Sequence, residues 1–303
     1  MVLYFRLLRE SFGFALNALR NNKLRTILSL LGVTIGIFSI IAVLAAVDSL
    51  DRKIKSDMSS LDKNTMYLKR FSFGPSEIPR WKREQFPNVT YEEFQYLKNS
   101  VNGMDKATYQ LFTARQIAKY DTKTVSDVNV IPATHELVEI QPMKFKQGRF
   151  FNESESNSGT AVIVLGYEIA NSLFENTDPI GKKIRLYGQK FTVIGVLEKQ
   201  GQGTFGNSND TAVCIPVNFM RNKFGDHNDT MTPIIIFKPN EGVDVDEFKG
   251  EVIQKLRNKR GMKIGQEDNF FIDVLSGFTE MIDQIVGVMN GIGWAISFFS
   301  LLV

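Results

Sequence analysis

The residues able to do chemistry are few and scattered. The two histidines, His135 and His227, stand far apart, and neither has a cysteine or a repeated carboxylate spacing around it. A zinc centre or an activated nucleophile needs partners that converge, so both are read as loop or surface histidines. The one cysteine, Cys214, lies in the apolar run Ala-Val-Cys-Ile-Pro and reads as a small buried hydrophobe. A single thiol forms no intrachain disulfide and says nothing of compartment. The Gly-rich stretch from Gly201 lacks the Lys-Ser/Thr that a phosphate loop requires, and is read as a flexible arm. Asp226-His-Asn-Asp-Thr is acidic, yet it lacks the spaced ligands and closing glutamate of a calcium loop. Asn88, Asn152, Asn209 and Asn228 each open an Asn-x-Ser/Thr triplet, a pattern common by chance. The expectation is therefore a non-enzymatic chain, with no catalytic, metal-binding or cofactor-binding residue.

The strongest local pattern lies in two greasy segments, 24–47 and 285–303. Each is about as long as the hydrocarbon core of a bilayer requires. Each also carries a small-xxx-small pair, Gly32/Gly36 and Gly287/Gly291, of the kind that lets helices approach closely in lipid. A cleaved signal is a poor fit to the first, because its charged lead and its apolar core are both too long. Ahead of it stand Arg6, Arg9, Arg20, Lys23 and Arg25 against Glu10 alone; behind it Arg52, Lys53 and Lys55 are balanced by Asp48, Asp51 and Asp57. The Lys/Arg excess marks the cytoplasmic side. Asn22, Lys23 and Arg25 thus form the membrane entry, and residues 48–284 lie outside.

The elements around these spans divide the chain. Residues 1–23 read as an interfacial amphipathic helix. Beyond the first span, Leu50, Ile54, Met58 and Leu61 keep one helical stripe over a stalk at 48–63. Phe278 and Ile282 begin a matching stripe over 276–284. Residues 64–131 and 231–275 read as two strand–helix–strand halves of one split α/β part. Its helices are marked by a Thr90–Glu93 capping box and by Val245, Phe248, Val252 and Leu256 on one face, ending at a left-handed Gly261. A small β-rich module, 132–230, is inserted between them, with a hairpin about Gly188-Gln189 whose Gly-X pair suits a type II′ turn. Net charge is only +3 and no long basic run is present, so nucleic acid is not an expected partner.

Several of these residues resemble the MacB-type ABC transporter permeases of the FtsX-like superfamily. The entry Asn22-Lys-Leu-Arg-Thr26, the following Leu31-Gly-Val-Thr-Ile-Gly36, and Asp178-Pro-Ile-Gly-Lys182 leading to Phe191-Thr-Val-Ile-Gly-Val196 carry the likeness. Asp178, Pro179, Gly181 and Gly195 are its outer-domain signature. The resemblance implies a membrane α-helical protein with four transmembrane helices, of which this chain holds two, stopping inside the second. It also implies an α+β periplasmic domain, with a split porter-like subdomain and an inserted β-rich subdomain. ATP and Mg would be bound by a separate cytoplasmic ATPase subunit. A second permease subunit, a periplasmic adaptor or outer-membrane component, the bacterial inner membrane and motion passed through the stalks are implied too. The alternative is a two-span receptor with a periplasmic ligand-binding domain.

Overall fold

The computed structural model describes residues 6, 9–11, 13, 14, 21–58, 62–72, 74, 76–175, 177–201, 208–226 and 230–302. Most of the interfacial helix at 1–23, together with Leu61, the arm at 202–207, His227 and Asn228, lies outside the described residues. The backbones of Arg25, Met58 and Phe278 are helical, and their side chains lie outside the described set. The chain forms two compact units, one of Met1–Lys53 with Ile282–Val303, the other of Ile54–Met281.

Helix α1 (Lys23–Met58) opens the first unit, and α9 (Leu275–Leu302) closes it. Leu24, Leu28, Ile35, Phe38 and Ile41 point outward along α1. A helix apolar all round and exposed has no place in water. Among the described residues one helix is long and apolar enough to cross a bilayer, Thr26–Ile54. The second expected span falls on α9 and rests on sequence alone.

The α/β unit is built on one mixed sheet. Strands β1 (Met66–Lys69), β2 (Met104–Phe112), β10 (Thr232–Pro239) and β11 (Phe271–Val274) lie in the order β11-β1-β10-β2, every pair antiparallel. Helix α3 (Tyr91–Ser100) joins β1 to β2, and α8 (Val245–Lys259) joins β10 to β11. That order is the split β-α-β arrangement. Both helices bury one face against the sheet: Phe94 and Leu97 from α3, with Phe248, Val252 and Leu256 from α8, share a core with Met66, Leu68, Ile235 and Phe237. Thr90 and Glu93 form the capping box at the start of α3, Asp244 caps α8, and Gly261 takes φ +64° after it. Between β1 and α3 lies the short α2 (Arg80–Arg83).

The remaining strands close into a ring. These are β3 (Gln116–Tyr120), β4 (Lys123–Ala133), β6 (Val162–Leu165), β7 (Lys183–Leu186), β8 (Gln189–Leu197) and β9 (Ala212–Pro216). They run β4-β3-β7-β8-β6-β9 and return to β4 through a parallel β4–β9 pair, while β5 (Phe145–Gly148) adds to β8. Closure leaves few free edges. Ile163, Leu165, Val213 and Ile215 fill one core; Val162, Val164 and Cys214, on the alternate face, join Phe150, Phe151 and Leu197 in a second. β6 and β9 are therefore buried on both sides, which is why they read as unbroken apolar runs. Short helices α4 (Leu137–Ile140), α5 (Glu153–Ser158), α6 (Tyr167–Phe174) and α7 (Val217–Phe224) cover the ring and its junction with the first sheet.

Two features differ from the sequence expectation. The boundary at 131/132 falls inside β4, and the β3–β4 hairpin, assigned to the first half of the split part, pairs with β7 and β9 of the ring. Pairing partners far along the chain leave no trace in a strand's own alternation. The second difference is the hairpin turn. Its central residues are Tyr187 (φ +50°) and Gly188 (φ +73°), flanked by the pair Leu186↔Gln189. Two positive φ values make a type I′ turn, displaced by one residue from the expected Gly188-Gln189.

Candidate functional site

The chain just after α1 and the chain that starts α9 are fastened together by β1 and β11. Met66 pairs with Val274 and Lys69 with Phe271. Beyond the strand ends, the Leu275 N–H donates to the Thr65 carbonyl and the Ser276 N–H to the Lys63 carbonyl, each at 3.0 Å. Lys69 reinforces this clasp from inside: its side chain is fully buried, and Nζ lies 2.9 Å from Asp273 Oδ2. Ser72 Oγ donates to Asp273 Oδ1 at 3.0 Å. Burial drives the Lys69 ammonium pKa down to about 8, while the Asp273 carboxylate pulls the other way. Sequence reasoning missed Lys69, because a lysine at the end of a four-residue strand looks like a solvated flank.

A second fastening holds the helical layer. Arg260 grips Glu93 with two bonds, Nε–Oε1 at 2.7 Å and Nη2–Oε2 at 3.0 Å, both side chains nearly buried. Such a fork is geometrically specific. Asn269 Oδ1 accepts from Arg260 Nη1 at 2.8 Å, so α3, the end of α8 and the approach to β11 share one guanidinium.

The seam between the sheet and the ring is polar and aromatic. The Arg221 guanidinium of α7 stacks 3.7 Å over the Tyr91 ring of α3, and Arg221 Nη2 bonds Asp226 Oδ2 at 2.8 Å. Thr108 and Thr134 hydroxyls meet at 2.9 Å. Lys98 of α3 bonds the buried Glu136. Burial pushes the Glu136 carboxyl upward, but Lys98, a backbone donor and neighbouring His135 together hold it below the usual range. His135 itself sits in the turn after β4, Nδ1 3.2 Å from Glu136 Oε2.

The signature residues shape the ring. Asp178 Oδ1 accepts from the Ile180 N–H at 3.0 Å, an Asx turn. Gly181 takes φ +77° with open space around it, and its N–H reaches the Val193 carbonyl at 2.8 Å. Gly195 is needed for a different reason: a Cβ there would stand 2.4 Å from the Arg149 carbonyl oxygen. The turn and the glycine thus seat β7 and β5 along β8. Together with α6 they enclose a cleft of about 320 Å³ lined by Lys146, Tyr167, Asn171, Phe174, Asp178 and Pro179.

The other expected residues are placed plainly. Asn22 and Lys23 are exposed at the start of α1. Gly32, Gly287 and Gly291 have nothing within 4 Å of a built Cβ; Gly293 does, 2.9 Å from Leu44 Cδ2. Gly293 lies outside both small-xxx-small pairs, and Gly36 is half-buried on α1. Leu50 is exposed, Ile54 buried and Ile282 half-buried. Asn152 caps α5 through the Glu155 N–H at 2.9 Å. Cys214 is buried and its thiol pushed up to about 12 by desolvation. The base of the Gly-rich arm is pinched by Asp210, whose two oxygens accept from the N–H groups of Gln200 and Gly201 at 2.8 Å. Among the described residues no group of three His, Cys, Asp or Glu could hold a metal ion.

Comparison with known proteins meets this geometry on each side. Residues 26–255 match the family model of the MacB-like periplasmic core domain. The macrolide export ATP-binding/permease protein MacB of Neisseria gonorrhoeae is 24% identical over 99% of this chain and 44% of that protein. Its counterpart from Mannheimia succiniciproducens is 26% identical over 98% of this chain and 44% of the relative. The chain spans under half the length of these curated relatives. Among solved structures, the periplasmic region of MacB from Actinobacillus actinomycetemcomitans superposes with a TM-score of 0.60 at 19% identity, over 76% of this chain and 98% of that one. The extracellular domain of the noncanonic ABC-type transporter YknZ gives 0.54 at 19% identity, over 69% and 99%. With the family model running from the apolar helix into α8, the chain belongs to the MacB-like periplasmic core domain family of ABC transporter permeases.

Proposed function

We propose that this chain is the permease subunit of an ABC transporter. In this reading, ATP binding and hydrolysis by a separate cytoplasmic ATPase is passed through membrane and stalk helices to the α/β unit. That unit then drives export or release of extracytoplasmic cargo. The observation that carries the reading is the unbroken family match from Thr26, in the apolar helix, through the sheet and ring to Lys255 in α8. The named relatives combine ATP-binding and permease functions, which supports the pairing with an ATPase that holds ATP and Mg. The reading places the N-terminus in the cytoplasm, residues 48–284 in the periplasm and the protein in the inner membrane. Its four-helix permease works beside a second permease copy or homologue, with an adaptor or outer-membrane component receiving the cargo.

The physical support is the clasp. In this reading a pull or twist on α1 is passed along the chain to β1, which is hydrogen-bonded to the strand from which α9 springs. Packed strands do not stretch, so the displacement moves the sheet rather than dissipating. The test is Ile54→Pro, in the interior of α1. Proline there removes a helix bond and clashes with the preceding turn, at about 3 kcal/mol. The expected outcome is normal membrane insertion and ATP turnover with export lost; full export by the variant would contradict the reading.

A further inference from the structure

The outer face of the ring carries a row of cations across three neighbouring strands. Lys119 of β3 stands directly opposite Arg185 of β7, and Arg185 directly opposite Lys190 of β8. Directly opposed residues share one face of a sheet, and all three are exposed. Lys183, two residues before Arg185 on β7, lies on the same face and is exposed too. Among the described residues none of these four makes an ion pair or a side-chain hydrogen bond. Thr124, opposite Lys119, and Thr192, opposite Lys183, add hydroxyls but no charge. Neighbouring acids do not restore the balance. Asp127 is taken by Arg115 at 2.8 Å and Glu175 by Lys123 at 2.8 Å. That leaves Asp121 and Asp178 against Lys119, Lys182, Lys183, Arg185 and Lys190, and positive charge stays in excess. Like charges directly opposite one another destabilise a sheet, and Arg185 meets one on each side. An ordinary solvated face mixes its signs; this one lacks a counter-charge.

We propose that this face docks an extended, acidic segment of a partner protein. Laid along β7, such a segment sets the carboxylates of alternate residues roughly 7 Å apart, the spacing of Lys183 and Arg185. Lys119 and Lys190 then flank the carboxylate at Arg185, one strand spacing, roughly 4.8 Å, to either side. Ile117, 52% exposed two residues before Lys119, offers apolar ground beside the charges. The face is an open sheet rather than a concave nest of backbone N–H groups, the arrangement that suits a phosphate. The inference concerns binding alone and stands whether or not the chain works in transport.

The test uses the full chain in nanodiscs of zwitterionic lipid and the fluorescence anisotropy of a short peptide alternating glutamate with threonine. The expected result is saturable binding at about 50 mM salt, weakened tenfold or more at about 500 mM. A peptide with glutamine for glutamate, or the variant Arg185→Glu, should weaken it as much. Lys259→Glu, the same change of net charge on exposed α8 surface, leaves binding unchanged. Arg185→Glu also turns two repulsions into attractions, so its thermal midpoint should rise by about 1 °C or more, which separates lost binding from lost fold. No saturable binding up to about 1 mM overturns the proposal. Equal loss in Lys259→Glu, or a midpoint that fails to rise in Arg185→Glu, overturns it as well. Inorganic polyphosphate that binds more tightly than the peptide and displaces it assigns the face to a phosphate polymer, and the acidic protein segment is then the wrong occupant.

Discussion

At the scale of single residues, buried charge is the most informative feature and the least visible in sequence. Glu93 is legible as a capping residue from its spacing to Thr90, and nothing local says that Arg260, far along the chain, will grip it. Glu93→Ala leaves that guanidinium nearly buried and without its carboxylate. The expected loss is about 3 kcal/mol of unfolding free energy, read by denaturant titration. Lys69 makes a pH-dependent prediction. Its native pKa, about 8, lies below its ordinary 10.5. Below about 8 both native and unfolded chains hold the proton, and the cost of burying the charge is fully present. Between these values the unfolded chain binds a proton that the native chain has released, so stability rises with pH, by up to about 3 kcal/mol. Lys69→Met should flatten that slope in unfolding measured from pH 7.5 to about 10.5; a slope unchanged in the variant would show another group at work. Cys214 was readable as a buried hydrophobe, because its neighbours in Ala-Val-Cys-Ile-Pro leave no polar face.

At the scale of elements, the strands and helices with strong local signals were legible, and their partners were not. α3 and α8 announce themselves through caps and a 3.6-residue stripe. β6 and β9 announce themselves as apolar runs. That β4 closes a ring by lying parallel to β9 depends on contacts more than seventy residues apart, which alternation cannot encode. Two strands separated by a short break, Met104–Phe112 and Gln116–Tyr120, part company here: β2 joins the sheet and β3 the ring. The glycines of the signature divide by cause, and this is testable. Gly195→Ala drives a methyl into the Arg149 carbonyl at 2.4 Å and should destabilise by about 2 kcal/mol or more. Gly181→Ala meets open space and pays only for its positive φ, about 1 kcal/mol. Thermal unfolding of the two variants side by side should separate them; equal shifts would contradict the packing account of Gly195. Spacing identifies where close approach is possible, while an approach such as that of Gly293 to Leu44 also depends on what the partner helix presents.

At the scale of the whole molecule, the account rests on a chain that enters and leaves an α/β unit through two helices joined by a strand pair. The orientation can be read by labelling. With Cys214 buried and its thiol held protonated, it should stay silent to a membrane-impermeant maleimide. A cysteine placed at exposed Lys190 should label in intact spheroplasts, and one at Asn22 only after permeabilisation; the reverse pattern would invert the topology. Coupling is the central claim, and hydrogen–deuterium exchange of the assembled transporter in nanodiscs tests it most directly. Exchange is compared with and without a non-hydrolysable ATP analogue. The account predicts that nucleotide at the cytoplasmic ATPase changes protection at residues 63–69 and 271–276, the clasp of β1 and β11. Identical exchange there in both states, while the ATPase itself responds to nucleotide, would contradict it.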